Sequence, residues 1–217
     1  MKFGGIMKQA LCRLWTSLFP DASVERVLHA FNLIWEHYGE ELRDYHSIDH
    51  VALSLESLGL YFPHAPREVE LAIWLHDVIY IPGDSRSEEM SAHFAAYVLA
   101  YLDEPAENIT TVHRAIRGTK LHIASTPIEQ VVCDIDLLPL ALPADEYRAN
   151  TQRIRSEYLA YSEDHWKTGR LAFIDQFLAR DTIYQTEEIS TWFERLAQCN
   201  LKSEKDRLLR ADGGPSQ

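Results

Sequence analysis

Apolar residues recur at three- and four-residue steps along nearly the whole chain, and this period constrains the fold more than any other feature. Over 22–39, Val24, Val27, Leu28, Phe31, Ile34, Trp35 and Tyr38 fall on one helical face, and Gly39 follows as a C′ residue. Val51, Leu55 and Leu58 mark a helix over 47–58, closed by Gly59. Pro66 opens a third helix, with Glu68 and Glu70 early in it where a helix dipole favours them, ending near "IPGDS". Ser87, Glu88 and Glu89 start the next, through "MSAHFAAYVLAYL", and Pro105 starts another reaching Gly118. "TPIE" predicts a capping box, with Thr126 at N-cap, Pro127 at N1 and Glu129 at N3 of a helix running to Pro139. After Pro143 come two or three long amphipathic helices, then a helical segment over 186–210. The best strand candidate, "KLHIAST", is short, and there is neither an internal repeat nor a linker. The expectation is one all-α domain over 1–210 with a frayed tail at 211–217.

Composition narrows the function classes. The chain carries 21 Lys+Arg against 33 Asp+Glu, a net charge of −12. Such a surface argues against coating a nucleic-acid polymer, which requires clustered cations to neutralise phosphates. It leaves room for a small phosphorylated substrate, because a buried metal ion outweighs surface charge of the wrong sign. No stretch reaches the roughly 18 apolar residues of a membrane span. The N-terminal "MKFGGIMKQALCRLWTSLFP" is broken by Lys8 and Arg13, so it reads as an amphipathic helix of a cytoplasmic protein with no membrane partner. Cys12, Cys133 and Cys199 are widely spaced and form no CxxC pair, which suits small core residues in a reducing compartment.

Three apolar helices carry residues that such helices should not contain. These are "YHSIDHV" (45–51), "LHD" (75–77) and "CDID" (133–136). Burying an unpaired carboxylate costs several kcal/mol, so His76 and Asp77 need compensation inside "LAIWLHDVIY". His46 and His50 are four apart and would share a helix face, whereas His76 and Asp77 diverge by about 100° but still converge on an ion between them. Asp134 and Asp136 point to nearly opposite faces, so one of the two reaches a shared site. A single core histidine is more often hydrogen-bonded than metal-bound. The order His, His-Asp, Asp on three separate helices favours a divalent metal, with a mixed nitrogen and oxygen set suited to Mn, Fe, Co, Ni or Zn, and Mg as a further candidate.

The same order resembles the signature of the HD-domain metal-dependent phosphohydrolases, an all-α superfamily. The match is similar to one bacterial branch of predicted metal-dependent HD phosphohydrolases, through "YHSIDHV", "ELAIWLHDVIY", "SEEMSA", "DIDLLPL" and "IRSEYLAY", in order from 45 to 161. "IYQTEEIS" and "CNLKSE" resemble its C-terminal part. The resemblance implies that His76 and Asp77 are paired metal ligands. "YHSIDHV" also resembles the YHNxxHA stretch of cyclic-nucleotide phosphodiesterases, which implies His50 as ligand and His46 as general acid. The reverse assignment of His46 and His50 stays open. Ser47 and Val51 depart from that pattern, so cyclic-nucleotide specificity does not follow. Asp136, standing in "DL" like the closing Asp-Leu of the superfamily, is the implied fourth ligand, with Asp134 a supporting or structural carboxylate.

Related phosphohydrolases use an acidic residue after the HD pair, which points to Glu88, with Glu89 beside it, for handling the water proton; acidic residues also simply stabilise a helix's first turn. Arg117, Lys120 and His122 are candidate substrate contacts, although a solvated helix end explains the two cations equally well. His113 and His122 lie where two-metal members carry extra ligands, so a second ion is an open expectation. Arg153 and Arg155 read as surface charges, with a family-level suggestion that "IRSEY" faces the site. The implied activity is hydrolysis of a small phosphate ester, a nucleotide among the candidates, by metal-activated water. A second copy of the chain is a candidate partner. The rivals are a non-catalytic metal-containing ligand-binding or regulatory module and a metal-free interaction protein.

Overall fold

A computed structural model describes residues 2–210, with side chains from residue 5; the tail expected at 211–217 lies outside the described residues. Regular structure among them is entirely helical: α1 (Lys2–Ser17), α2 (Val24–Tyr38), α3 (Ile48–Tyr61), α4 (Arg67–Leu75), α5 (Ser87–Tyr101), α6 (Ala106–Gly118), α7 (Pro127–Leu137), α8 (Ala144–Glu157), α9 (Glu163–Leu178) and α10 (Glu187–Arg210). A 3-10 helix (Leu138–Ala141) follows α7 directly. No helix is long and apolar enough to cross a membrane.

The apolar stripes build two cores. The larger gathers α1 to α7 around Trp15, Phe31 and Trp74, all buried, with the Trp15 and Trp74 rings edge-on at 5.5 Å. Buried aromatic side chains of this size each contribute about 3–5 kcal/mol relative to alanine. The smaller core joins the 3-10 helix to α8, α9 and α10 through Tyr147, Ile174, Phe177 and Leu201. Asn200 stitches α10 to the 3-10 helix by donating to the Leu140 and Leu142 carbonyls at 2.9 and 2.8 Å.

Several boundaries differ from the sequence expectation, each for a local reason. α3 passes through Gly59 and continues to Tyr61, so Gly59 does not close it. His46 precedes the Ser47 cap of α3, so His46 and His50 do not share a helix face. α4 ends at Leu75 and does not continue towards "IPGDS". There Arg43 donates to the Asp77 and Val78 carbonyls at 2.6 and 2.9 Å, and the Asp77 N–H donates to the Tyr38 hydroxyl at 3.3 Å. Those backbone groups are satisfied from outside, so the turn needs no further helix. "KLHIAST" forms turns, with the Leu121 and His122 carbonyls accepting from Arg180 at 2.5 and 2.9 Å. Thr126 caps α7 as expected by accepting from the Glu129 N–H, while the Glu129 carboxylate reaches the Ser125 N–H. Cys133 is buried, but Cys199 is exposed, which corrects its reading as a core residue.

Candidate metal centre

Four side chains from three helices meet where the larger core faces α8 and α9. His50 projects from the first turn of α3, His76 and Asp77 from the end of α4, and Asp136 from the last turn of α7. One ligand atom from each lies within 4.8 Å of all the others, so this group could hold a metal ion. His50 Nε2 is 3.3 Å from His76 Nε2 and 3.1 Å from Asp136 Oδ1. His76 Nε2 is 3.2 Å from Asp77 Oδ2 and 3.4 Å from Asp136 Oδ1. His50 and His76 are 5% and 2% exposed, so water contributes little to solvating these charges.

The histidine tautomer is set by the backbone. His76 Nδ1–H donates to the Ile73 carbonyl at 2.9 Å, which leaves the Nε2 lone pair facing the cluster. Burial opposes a proton on His76, but the charges of Asp77 and Asp136 outweigh it and raise its pKa well above the ordinary value. For Asp136, burial is likewise outweighed by His76, His122 and His50, and its pKa falls well below the ordinary carboxylate range. The pocket attracts positive charge strongly.

Asp134, two residues from Asp136, faces away. It is fully buried and accepts from the Gln185 N–H at 2.9 Å, the Thr186 N–H at 2.7 Å and the Thr186 hydroxyl at 2.6 Å. It therefore anchors the turn entering α10. Asp134→Ala should lower unfolding stability by about 3 kcal/mol, because three donors lose their acceptor. Asp134→Asn should recover part of that loss by keeping one acceptor oxygen for the Thr186 donors; urea denaturation of both variants measures the difference.

His46 stands beside the cluster, its ring 6.3 Å from that of His50, and does not belong to the four-residue group. It stacks on Tyr80 at 3.9 Å and bonds through Nδ1 to Glu157 at 2.6 Å. The Glu157 side chain is fully buried, and its other oxygen accepts the backbone N–H groups of Asp44, Tyr45 and His46 at 2.8–2.9 Å. Burial opposes a proton on His46, but the Glu157 bond and the neighbouring carboxylates outweigh it and raise its pKa. Burial likewise opposes ionisation of Glu157, yet the His46 bond and charge hold its pKa below the ordinary value.

His122 donates through Nε2–H to Asp136 Oδ2 at 2.8 Å and so steadies the carboxylate at the oxygen that His50 does not approach. Its φ of 48° is left-handed, a conformation that histidine tolerates better than most residues and that stores strain at this position. Glu88 lines the same cavity; one of its oxygens is buried with no hydrogen-bond partner, and burial followed by the Asp77 charge raises its pKa. Lys120 lies on the cavity wall and donates to the Ser85 carbonyl at 2.5 Å. Arg117 does not line this cavity: its Nε pairs with Glu89 at 2.6 Å. His113 also lies apart, with Glu89 and His93 on α5 and α6, in a second group whose ligand atoms are within 4.8 Å of one another. Arg153 and Arg155 tie α8 to Asp44 and Glu163.

Sequence reasoning missed Arg43 and Glu157. Arg43 sits in a charged loop without periodicity, yet its side chain is 1% exposed and it fastens the His76–Val78 turn. Glu157 belongs to "IRSEY", whose suggested orientation towards the site was the signal available. No family model, curated protein or solved structure matches this chain.

Proposed function

We propose that the chain is an HD-type, metal-dependent phosphohydrolase acting on a small phosphate ester. The observation that carries this reading is the meeting of His50, His76, Asp77 and Asp136 beside a separate His46–Glu157 pair, with His46 and Asp136 opening onto one cavity. Glu157 also shapes the 44–46 loop, but a structural metal site does not require an imidazole beside it that faces the cavity.

The four-residue group fits a divalent cation. Two imidazoles, one with its lone pair directed by a backbone carbonyl, and two carboxylates form the mixed set that Mn, Fe, Co, Ni or Zn accept. When bound, such an ion would offset phosphoryl charge and make water more acidic. The protein's own groups supply the proton traffic. Nδ1–H of His46 donates to Glu157, which favours the imidazolium; in that form Nε2–H is the proton delivered to the departing ester oxygen, and the neutral ring keeps its Nδ1–H on Glu157. Glu88, with an unpartnered buried oxygen, receives the proton released as water attacks phosphorus. One proton enters the alcohol and one leaves the water, so the step balances.

The test is a phosphoesterase screen of purified protein loaded with Mn²⁺, Co²⁺ or Ni²⁺. Turnover is expected, with loss in Asp77→Ala and a fall of about 10²–10⁴-fold in kcat for His46→Gln. Full metal occupancy without turnover of any phosphoester would overturn the reading.

A further inference from the structure

Beyond the ligand cluster, the cavity continues for about 480 Å³ between α7, the 80–83 loop and the facing surfaces of α8 and α9. That volume lies in the range of small-molecule sites. Its far wall is aromatic: Tyr158, Trp166, Phe173 and Phe177 line it, with Tyr158 and Trp166 packed at 5.3 Å and Phe173 and Phe177 at 4.8 Å. The near edge is closed by hydroxyls holding the 80–83 loop, with Tyr161 donating to the Pro82 carbonyl at 3.0 Å.

Cations are scarce in this wall. Among the described residues, Lys120 and Arg170 are the only lysine or arginine side chains in it, beside the imidazoles of His46, His122 and His165. Arg170 is buried and committed, donating from Nε and Nη2 to both Glu204 oxygens at 2.8 and 3.0 Å. Lys120 is a single point charge at the rim. Glu88 adds a carboxyl group to the same lining. A chain of several phosphates would find no guanidinium fork and would face acidic side chains. An uncharged ring, in contrast, finds offset and edge-on partners on several sides.

We infer that the substrate carries a single phosphoryl group on an alcohol bearing a flat, uncharged ring, the ring seated against Trp166, Phe173 and Phe177. This rests on the hydrolase reading for the phosphoryl end, while the ring site stands on the cavity wall itself. Gly169, within α9, also lines the cavity, and a Cβ added there meets nothing within 4 Å. A side chain begun at this position is free of contacts at its first carbon, so a leucine there adds bulk to the cavity lining, and replacing glycine inside a helix favours the helix.

The experiment uses the Mn²⁺-loaded full chain, wild type and Gly169→Leu, with 1-naphthyl phosphate, glycerol 2-phosphate and inorganic triphosphate. Turnover and calorimetric binding are measured for each. For 1-naphthyl phosphate, kcat/KM should exceed that of the other two by at least about tenfold, and Gly169→Leu should erase most of that lead with no fall in melting temperature. Equal or better turnover of glycerol 2-phosphate or triphosphate overturns the inference while the hydrolase reading survives. Selective binding of 1-naphthyl phosphate, weakened by Gly169→Leu but without turnover of any ester, supports the ring site and removes the hydrolase reading. No binding of 1-naphthyl phosphate, or binding indifferent to Gly169→Leu, overturns the inference.

Discussion

Asp136→Ala should abolish high-affinity metal binding, with a loss of at least about 100-fold in affinity for Mn²⁺ or Zn²⁺. Asp136 is the carboxylate on which the site turns, because His50 and His76 approach one of its oxygens and His122 the other. Without it, three imidazoles face one another with Asp77 as the remaining acid, and burial disfavours the charge that His76 otherwise carries. The metal-free variant should be destabilised by about 3–5 kcal/mol, the usual consequence of deleting one partner of a buried charged group. Chelator should lower the melting temperature of the wild type and leave Asp136→Ala unchanged, since stabilisation by a bound ion vanishes with its affinity. Titration calorimetry with Zn²⁺, alongside thermal melts with and without chelator, reads both effects. Wild-type affinity in the variant would remove Asp136 from the ligand set.

Glu157→Gln should be the second most damaging change, through both folding and proton supply. The carboxylate gathers three backbone N–H groups with one oxygen and His46 Nδ1 with the other, and glutamine replaces its charge with a neutral amide. A stability loss of about 3 kcal/mol is expected at mildly acidic pH. Glu157 has a lowered pKa when folded, so its contribution is complete above its ordinary value of 4.5 and is lost as pH falls through the folded value. His46 has a raised pKa, so its contribution is complete below its ordinary value of 6.5 and is lost as pH rises through the folded value. The deficit of the variant is therefore widest between 4.5 and 6.5. At higher pH the charge on His46 is gone, and the neutral Nδ1–H bond and the bonds to the three N–H groups remain. Denaturant melts across the pH range measure the window, and a deficit that does not change with pH would refute the pairing. Under the hydrolase reading, the alkaline limb of the pH–rate profile should also move to lower pH, because His46 loses the partner that holds its proton. A variant that is merely less stable would not shift that limb.

The helices were legible because an apolar period or a capping signal marks most of them; α2, α5 and α6 come within a residue or two of the expected limits. The limits that failed depend on distant groups. Nothing in "LAIWLHDVIY" tells a reader that helix ends at Leu75, because the carbonyls of Asp77 and Val78 are taken by Arg43, more than thirty residues earlier in the chain. The juxtaposition of His50, His76, Asp77 and Asp136 was readable from apolar helices carrying residues that demand compensation. The role of Glu157 was not, since a glutamate in a polar amphipathic helix has the same local pattern whether it meets solvent or three backbone N–H groups. Arg117 shows the opposite failure: a cation at a helix end near the motifs suggested phosphate, and the structure gives it to Glu89.

The Glu157 contacts also bear on the expected order of assembly. The loop that carries His46 is shaped by a side chain 111 residues further along, and Asp136 reaches His50 across a separation of 86. Closing such long intervals is entropically costly and comes late, after the locally encoded helices have formed. On the ribosome, the first seven helices can gather their own core while α8 is still being made. A nascent chain ending before α8 would hold all four candidate ligand side chains but leave His46 without its anchor. Under the hydrolase reading, capture of an ion and readiness to transfer a proton would thus be separated in time, the second waiting for the last third of the protein.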